Sequence, residues 1–285
     1  MATKYLYDNG LPFSTVLKVN LDDQIDRIKR KKASCIIIDG GLGEGKTTLG
    51  VEIGDYFEAK PINLKTQIGM GGEDFQAKFS LGIKKGVVAI IYDEAGDFDR
   101  RGAIGSFNRM INRLFQIYRG FKIIVILCLP NFSILDTRFL EARVPRLLLN
   151  CHNRSATYGD IRGYDLDGMF YLKKYMENKR NVPLKAYKYV RPNFRAHFKD
   201  LPSERSNVLD GISTAAKNSI LDINIGKKEG VSVAEIAKDL DMSVSWTHAK
   251  IKELKIKSQA TVKNVNYYDP VLFAELRPHV RQRRN

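Results

Sequence analysis

Hydrophobic residues run almost unbroken through four short stretches, residues 33–38, 86–92, 121–129 and 146–151, with little of the alternation that a half-exposed strand shows. Runs of this length read as strands buried on both faces, as in a parallel sheet. The stretches between them change period. Residues 49–57 and 73–83 repeat their apolar positions at helical spacing, the latter with Phe75, Phe79 and Ile83 on one face. Met110, Ile111, Leu114, Phe115 and Tyr118 form an apolar stripe opposite Asn108, Arg109, Asn112, Arg113 and Gln116, which predicts an amphipathic helix. Acids early and bases late in residues 22–32 suit the dipole of a lead-in helix. Strand alternating with helix predicts an α/β fold, a mainly parallel sheet flanked by helices. Residues 61–68 read as a further strand and residues 134–143 as a helix. The imperfect alternation over residues 186–190, taken with residues 165–175, reads as a strand pair carrying basic and aromatic side chains.

The ends of these strands carry the chemistry. After the first run come Gly40, Gly41, Leu42, Gly43, Glu44, Gly45, Lys46, Thr47 and Thr48, which fit G-x-x-x-x-G-K-[ST] without a mismatch between a strand and a helix. Glycines let backbone N–H groups converge on phosphate oxygens, and the helix that follows offers its positive end to the same anion. The fold expected is therefore that of a P-loop NTPase, binding a nucleoside triphosphate with Mg²⁺. Lys46 would reach the β- and γ-phosphates and the Thr47 hydroxyl would ligate Mg²⁺. The second run ends in Asp93 and Glu94. Asp93 would complete the metal shell and Glu94 would polarise the attacking water. Asn131, past the end of the third run, is placed to touch the γ-phosphate or its water.

A net charge of +15 changes the picture, because it is unevenly spread. Residues 1–100 hold 14 basic and 15 acidic groups, residues 101–200 hold 19 and 7, and residues 201–285 hold 14 and 10. The excess begins just after Asp93 and Glu94, which points to a polyanionic partner, DNA first. Residues 231–254 predict a helix-turn-helix: Ser232 and Glu235 have the spacing of a capping box, Asp241 occupies the turn, and Ser243 caps the second helix. Met242, Thr247, Ile251 and Leu254 would point inward, leaving Val244, Ser245, Trp246, His248 and Lys250 for a major groove. The division expected is a lead-in (1–32), a P-loop ATPase domain (33–202), a linker helix (203–228) and a small all-α helix-turn-helix domain with a basic tail (229–285). No apolar run approaches the roughly 20 residues of a membrane span. Cys35, Cys128 and Cys151 read as buried thiols, and a cytoplasmic location is expected.

The loop, Asp93-Glu94-Ala95-Gly96, and residues 115–127 and 129–138 together resemble the HerA/FtsK group of P-loop ATPases, in particular its zonular-occludens-toxin-like branch from phages, viruses and plasmids. The resemblance covers about residues 33–200. It implies a ring-forming motor, commonly hexameric, that hydrolyses ATP to move or package DNA, with a neighbour's arginine completing each site. Arg100, Arg101, Arg119, Arg138 and Arg143 are the candidates for that arginine, Arg143 preferred. The sequence departs from the group at Asn131, where Gln is usual, and lacks the membrane span of the filamentous-phage members. Two other readings stay open: an ATP-gated DNA-binding regulator of transcription or replication initiation, and an assembly scaffold that binds proteins.

Overall fold

The computed structural model describes residues 10–30, 32, 34–93, 101–117, 121–155, 157–178, 183–225, 231–258, 260–262, 265–268, 276, 278 and 280. The chain divides into two compact units, Met1–Ala216 and Lys217–Asn285. The first begins with α1 (Thr15–Lys29), β1 (Ser34–Gly40), α2 (Lys46–Glu58), α3 (Leu64–Gln67), β2 (Ile68–Met70), α4 (Gly72–Lys85) and β3 (Ala89–Asp93). It continues through α5 (Arg101–Ile117), β4 (Ile124–Leu129), α6 (Thr137–Glu141), β5 (Pro145–His152), β6 (Tyr158–Tyr164), α7 (Leu166–Asn178), α8 (Pro183–Tyr189) and β7 (Phe194–Lys199), and the division falls within α9 (Ser203–Ile225).

Seven strands pair in the order β2-β3-β4-β1-β5-β6-β7. The first five are mutually parallel, and β6 and β7 add an antiparallel edge. Successive residues of β1 belong to opposite faces. Ile36 and Ile38 pack with Leu49, Ile53 and Phe57 of α2 and Leu17 and Leu21 of α1. Cys35 and Ile37 join the layer that holds Phe75 and Phe79 of α4, Phe107 and Ile111 of α5, and Met169 and Leu172 of α7. Helices covering both faces explain why the strand sequences do not alternate. This is the α/β P-loop NTPase fold that the sequence predicts.

Several elements differ from the expectation. Residues 61–68 form the one-turn α3 and lead into the short β2, because Asn63 caps the turn with its side chain on the Lys65 N–H. Residues 165–175 and 186–190 fall in α7 and α8, two helices and not a strand pair. Pro183 suits a first helical position, and Ala186, Tyr187 and Val190 are spaced to meet one buried face. Phe194–Lys199, where the sequence predicts no element, form β7, which pairs with β6 along its whole length.

In the second unit, α10 (Val233–Asp239) and α11 (Val244–Glu253) are accompanied by β8 (Val231–Ser232), β9 (Ala260–Val262) and β10 (Val265–Tyr268), an antiparallel sheet in the order β8-β10-β9. The all-α expectation for this part is corrected on that point: Tyr268 from β10 is buried with Val233, Ile236, Leu240 and Ile251. The capping box forms as read, Ser232 Oγ accepting from the Glu235 N–H and a Glu235 carboxylate oxygen accepting from the Ser232 N–H at 2.8 Å. Asp241 adopts φ 52° in the turn, and Ser243 accepts from the Trp246 N–H.

Candidate phosphate-binding site

The loop leaves β1 where the sheet is most buried, and two of its glycines are dictated by what surrounds them. Gly40 has φ 150°, and a Cβ there would stand 2.5 Å from the Cys151 carbonyl of β5. Gly45 has φ 81°, and a Cβ would meet the Phe198 ring at 2.9 Å. A side chain at either position meets both a disfavoured backbone and occupied space. The Lys46 ammonium folds back over the loop, donating to the Gly40 carbonyl at 3.0 Å and the Gly41 carbonyl at 2.9 Å. Gly41 and Glu44 are half-buried, Leu42 and Gly43 exposed, and Thr48 buried beneath the first turn of α2.

Thr47 and Asp93 meet although 46 residues separate them, the Thr47 hydroxyl donating to Asp93 Oδ2 at 2.9 Å. Strand β3 lies beyond β4 from β1, so parallel pairing brings both strand ends to one edge of the sheet. A hydroxyl and a carboxylate side by side at a phosphate loop are hard oxygen donors suited to Mg²⁺, which takes one or two protein oxygens and fills its shell with phosphate and water. Among the described residues no group of three or more His, Cys, Asp and Glu is placed to hold a metal.

Asp39, the last side chain before the loop, is a hub that sequence reading left without a role. It is 1% exposed. Its Oδ2 accepts from the Phe132 N–H at 2.9 Å and from the Tyr187 hydroxyl, and its Oδ1 accepts from the Asn150 side-chain amide at 2.9 Å. Burial raises its pKa from the usual carboxylate value, while hydrogen bonds from Tyr187, Asn150 and Phe132 favour the anion. Asp39 therefore ties the root of the loop to the turn after β4, where Asn131 stands. Asn131 Oδ1 accepts from the Ser133 N–H at 2.9 Å and shapes that turn. The available signal was a carboxylate closing an otherwise apolar run, but its partners lie up to 148 positions away.

A second unforeseen neighbour is Arg154, just past β5. Its backbone N–H donates to Glu44 Oε2 at 3.0 Å, and its guanidinium reaches the Gly43 carbonyl at 3.4 Å and Asp200 Oδ1 at 2.7 Å. Glu94, Arg100 and Arg119 lie outside the described residues, as does the side chain of Arg101. Arg138 and Arg143 are exposed. In the parallel pairing of β1 with β5, Cys35 faces Pro145 and Gly40 faces Cys151. Arg143 precedes Pro145, so it lies at the opposite edge of the sheet from its own loop, about 17 Å away at roughly 3.3 Å per residue. There it lines a cleft with Asp23, Arg27 and Arg146.

Of the proposed groove-facing residues on α11, Val244, Ser245 and His248 are exposed. Trp246 is half-buried and packs against the core of its unit, and Lys250 pairs with Glu253 at 2.8 Å. Thr247 and Ile251 are buried as read, with Met242 and Leu254 packed beside them.

No protein-family model and no curated protein matches this chain. Solved structures similar to it include a HORMA–CdnC–Trip13 complex from E. coli, at 15% identity over 61% of this chain and 72% of that one, TM-score 0.33. A KaiC-like protein from Pyrococcus horikoshii is 12% identical over 46% and 78%, TM-score 0.29. A DNA polymerase III gamma subunit-related protein from Thermotoga maritima is 14% identical, TM-score 0.33; this chain spans 57% of its length and 59% of the present chain is covered. Likenesses this loose leave function to be read from the site itself. Among the described residues no helix is long and apolar enough to cross a membrane.

Proposed function

We propose that this chain is a DNA-dependent ATPase that hydrolyses ATP to move or package DNA, a motor of the HerA/FtsK type with a helix-turn-helix in its second unit. The observation that carries the reading is the meeting of Thr47 with Asp93 at 2.9 Å beside a glycine loop whose lysine is already curled over it. In this reading loop N–H groups and Lys46 hold the phosphates, and Thr47 and Asp93 hold Mg²⁺, which supplies charge neutralisation when bound. Glu94 takes a proton from water as the water oxygen bonds to the γ-phosphorus and the bond to the ADP oxygen breaks, giving ADP and phosphate. Assembly into a ring would let an arginine from a neighbour, Arg143 first, serve the site in trans, since Arg143 lies away from its own loop. Basic residues beyond position 100 and the exposed face of α11 supply contacts to DNA.

Displacement of a triplex-forming strand tests the motor. The full chain with ATP and Mg²⁺ should strip the third strand from duplex DNA, and Lys46→Ala should not. A protein that protects a defined DNA site yet displaces nothing with ATP would instead be the nucleotide-gated regulator.

A further inference from the structure

Arg154 reaches the phosphate loop from the β5 side, across β1 from Asp93. Its backbone is tethered there, the N–H donating to Glu44 Oε2 at 3.0 Å, and its Cδ would lie 3.2 Å from a Cβ placed on Gly45. The tip of the side chain is held less firmly. Nη1 to the Gly43 carbonyl is 3.4 Å, at the outer limit of a hydrogen bond. Nη2 pairs with Asp200 Oδ1 at 2.7 Å, but the two side chains are 28% and 32% exposed, where water weakens such a pair.

We propose that Arg154 is a nucleotide-responsive arginine of the same chain, one that leaves Gly43 and Asp200 to grip the phosphate groups of a nucleotide held in the loop. The proposal rests on the phosphate-loop reading above. A guanidinium binds phosphate oxygens through paired, charge-assisted bonds, which are stronger than one bond to a carbonyl and one solvent-screened carboxylate contact. The Glu44 tether holds the backbone of Arg154 at the loop whichever partner its tip chooses. Lys46 contributes one positive charge to a ligand that bears several negative ones, so a second cation within reach has work to do. The arginine that the resemblance expects from a neighbouring subunit would then have a counterpart supplied in cis.

Asp200 provides the decisive variant, because it competes with phosphate for the same guanidinium. Asp200→Asn keeps an oxygen for the Leu201 N–H, which Asp200 Oδ1 now accepts at 3.1 Å, while removing the competing charge. Binding of a fluorescent ATP analogue to the full chain is measured for wild type, Arg154→Ala, Arg154→Lys and Asp200→Asn. The expected result is binding weakened about tenfold or more by Arg154→Ala, partly restored by Arg154→Lys, and tightened several-fold by Asp200→Asn. Unchanged binding in Arg154→Ala overturns the proposal. So does equal weakening by Arg154→Ala and Asp200→Asn, which would make the pair a structural staple. Mixing Arg154→Ala with Lys46→Ala chains should restore no hydrolysis; recovery would place the arginine in trans and overturn the cis assignment. Failure of folded wild type to bind the analogue would remove the phosphate-loop reading itself, a result distinct from these.

Discussion

Glu52 sits in α2, six residues past Lys46, 3% exposed and with one carboxylate oxygen that has no hydrogen-bond partner. Burial, then the nearby charges of Asp200 and Asp55, pushes its pKa up to about 9 from 4.5. The folded chain therefore keeps a proton that the unfolded chain releases between these values. Stability falls as pH rises through that window, with a slope from this group on the order of 1 kcal/mol per pH unit, and the slope ends above about 9. Glu52→Gln removes the titration while keeping the shape. Thermal melts from pH 5 to 9 should show wild type losing stability more steeply than the variant; parallel curves would contradict the buried, neutral carboxyl. Burial raises the pKa of Asp39 as well, but there three donors offset part of the rise and hold the acid in place. Neither group belongs to a motif.

At the scale of elements, caps and register decide what the loop and the second unit can do. The Ser232–Glu235 box closes the start of α10, and the chain's single tryptophan, Trp246, packs on the core beneath it. Ser232→Ala should cost about 1 kcal/mol in the unfolding of this unit, read by Trp246 fluorescence in urea. No change in the midpoint would mean the box adds nothing to the fold. Sequence alone reached this cap, Asp241 in the left-handed turn, the phosphate loop and the strands around it, because each depends on residues within a few positions. It misread residues 61–68, where the Asn63 cap turns the chain into α3, and residues 165–175 and 186–190, where short aromatic and basic stretches fit either period and packing against the sheet selected the helix. It placed Thr47 after one buried strand and Asp93 at the end of another, and the two side chains meet. Arg154 and the partners of Asp39 stayed hidden, since only the order of strands brings Asn150 and Arg154 to the end of β1, and only the packing of α8 brings Tyr187.

The whole molecule joins a phosphate loop to a positive middle third, and its proposed activity requires both. The edge of the sheet that carries Gly40 also carries Asp93, Asn131 and Arg154, whereas Arg143 lies at the other edge. Hydrolysis coupled to a polyanion should depend on the polyanion, and on salt, through the charges after residue 100. The rate of phosphate release from ATP by the full chain, with and without duplex DNA, tests the account most directly. Release should require Mg²⁺, rise several-fold with DNA and be lost in both Lys46→Ala and Glu94→Gln; a folded wild-type chain that releases no phosphate under any DNA condition would contradict the proposed hydrolysis.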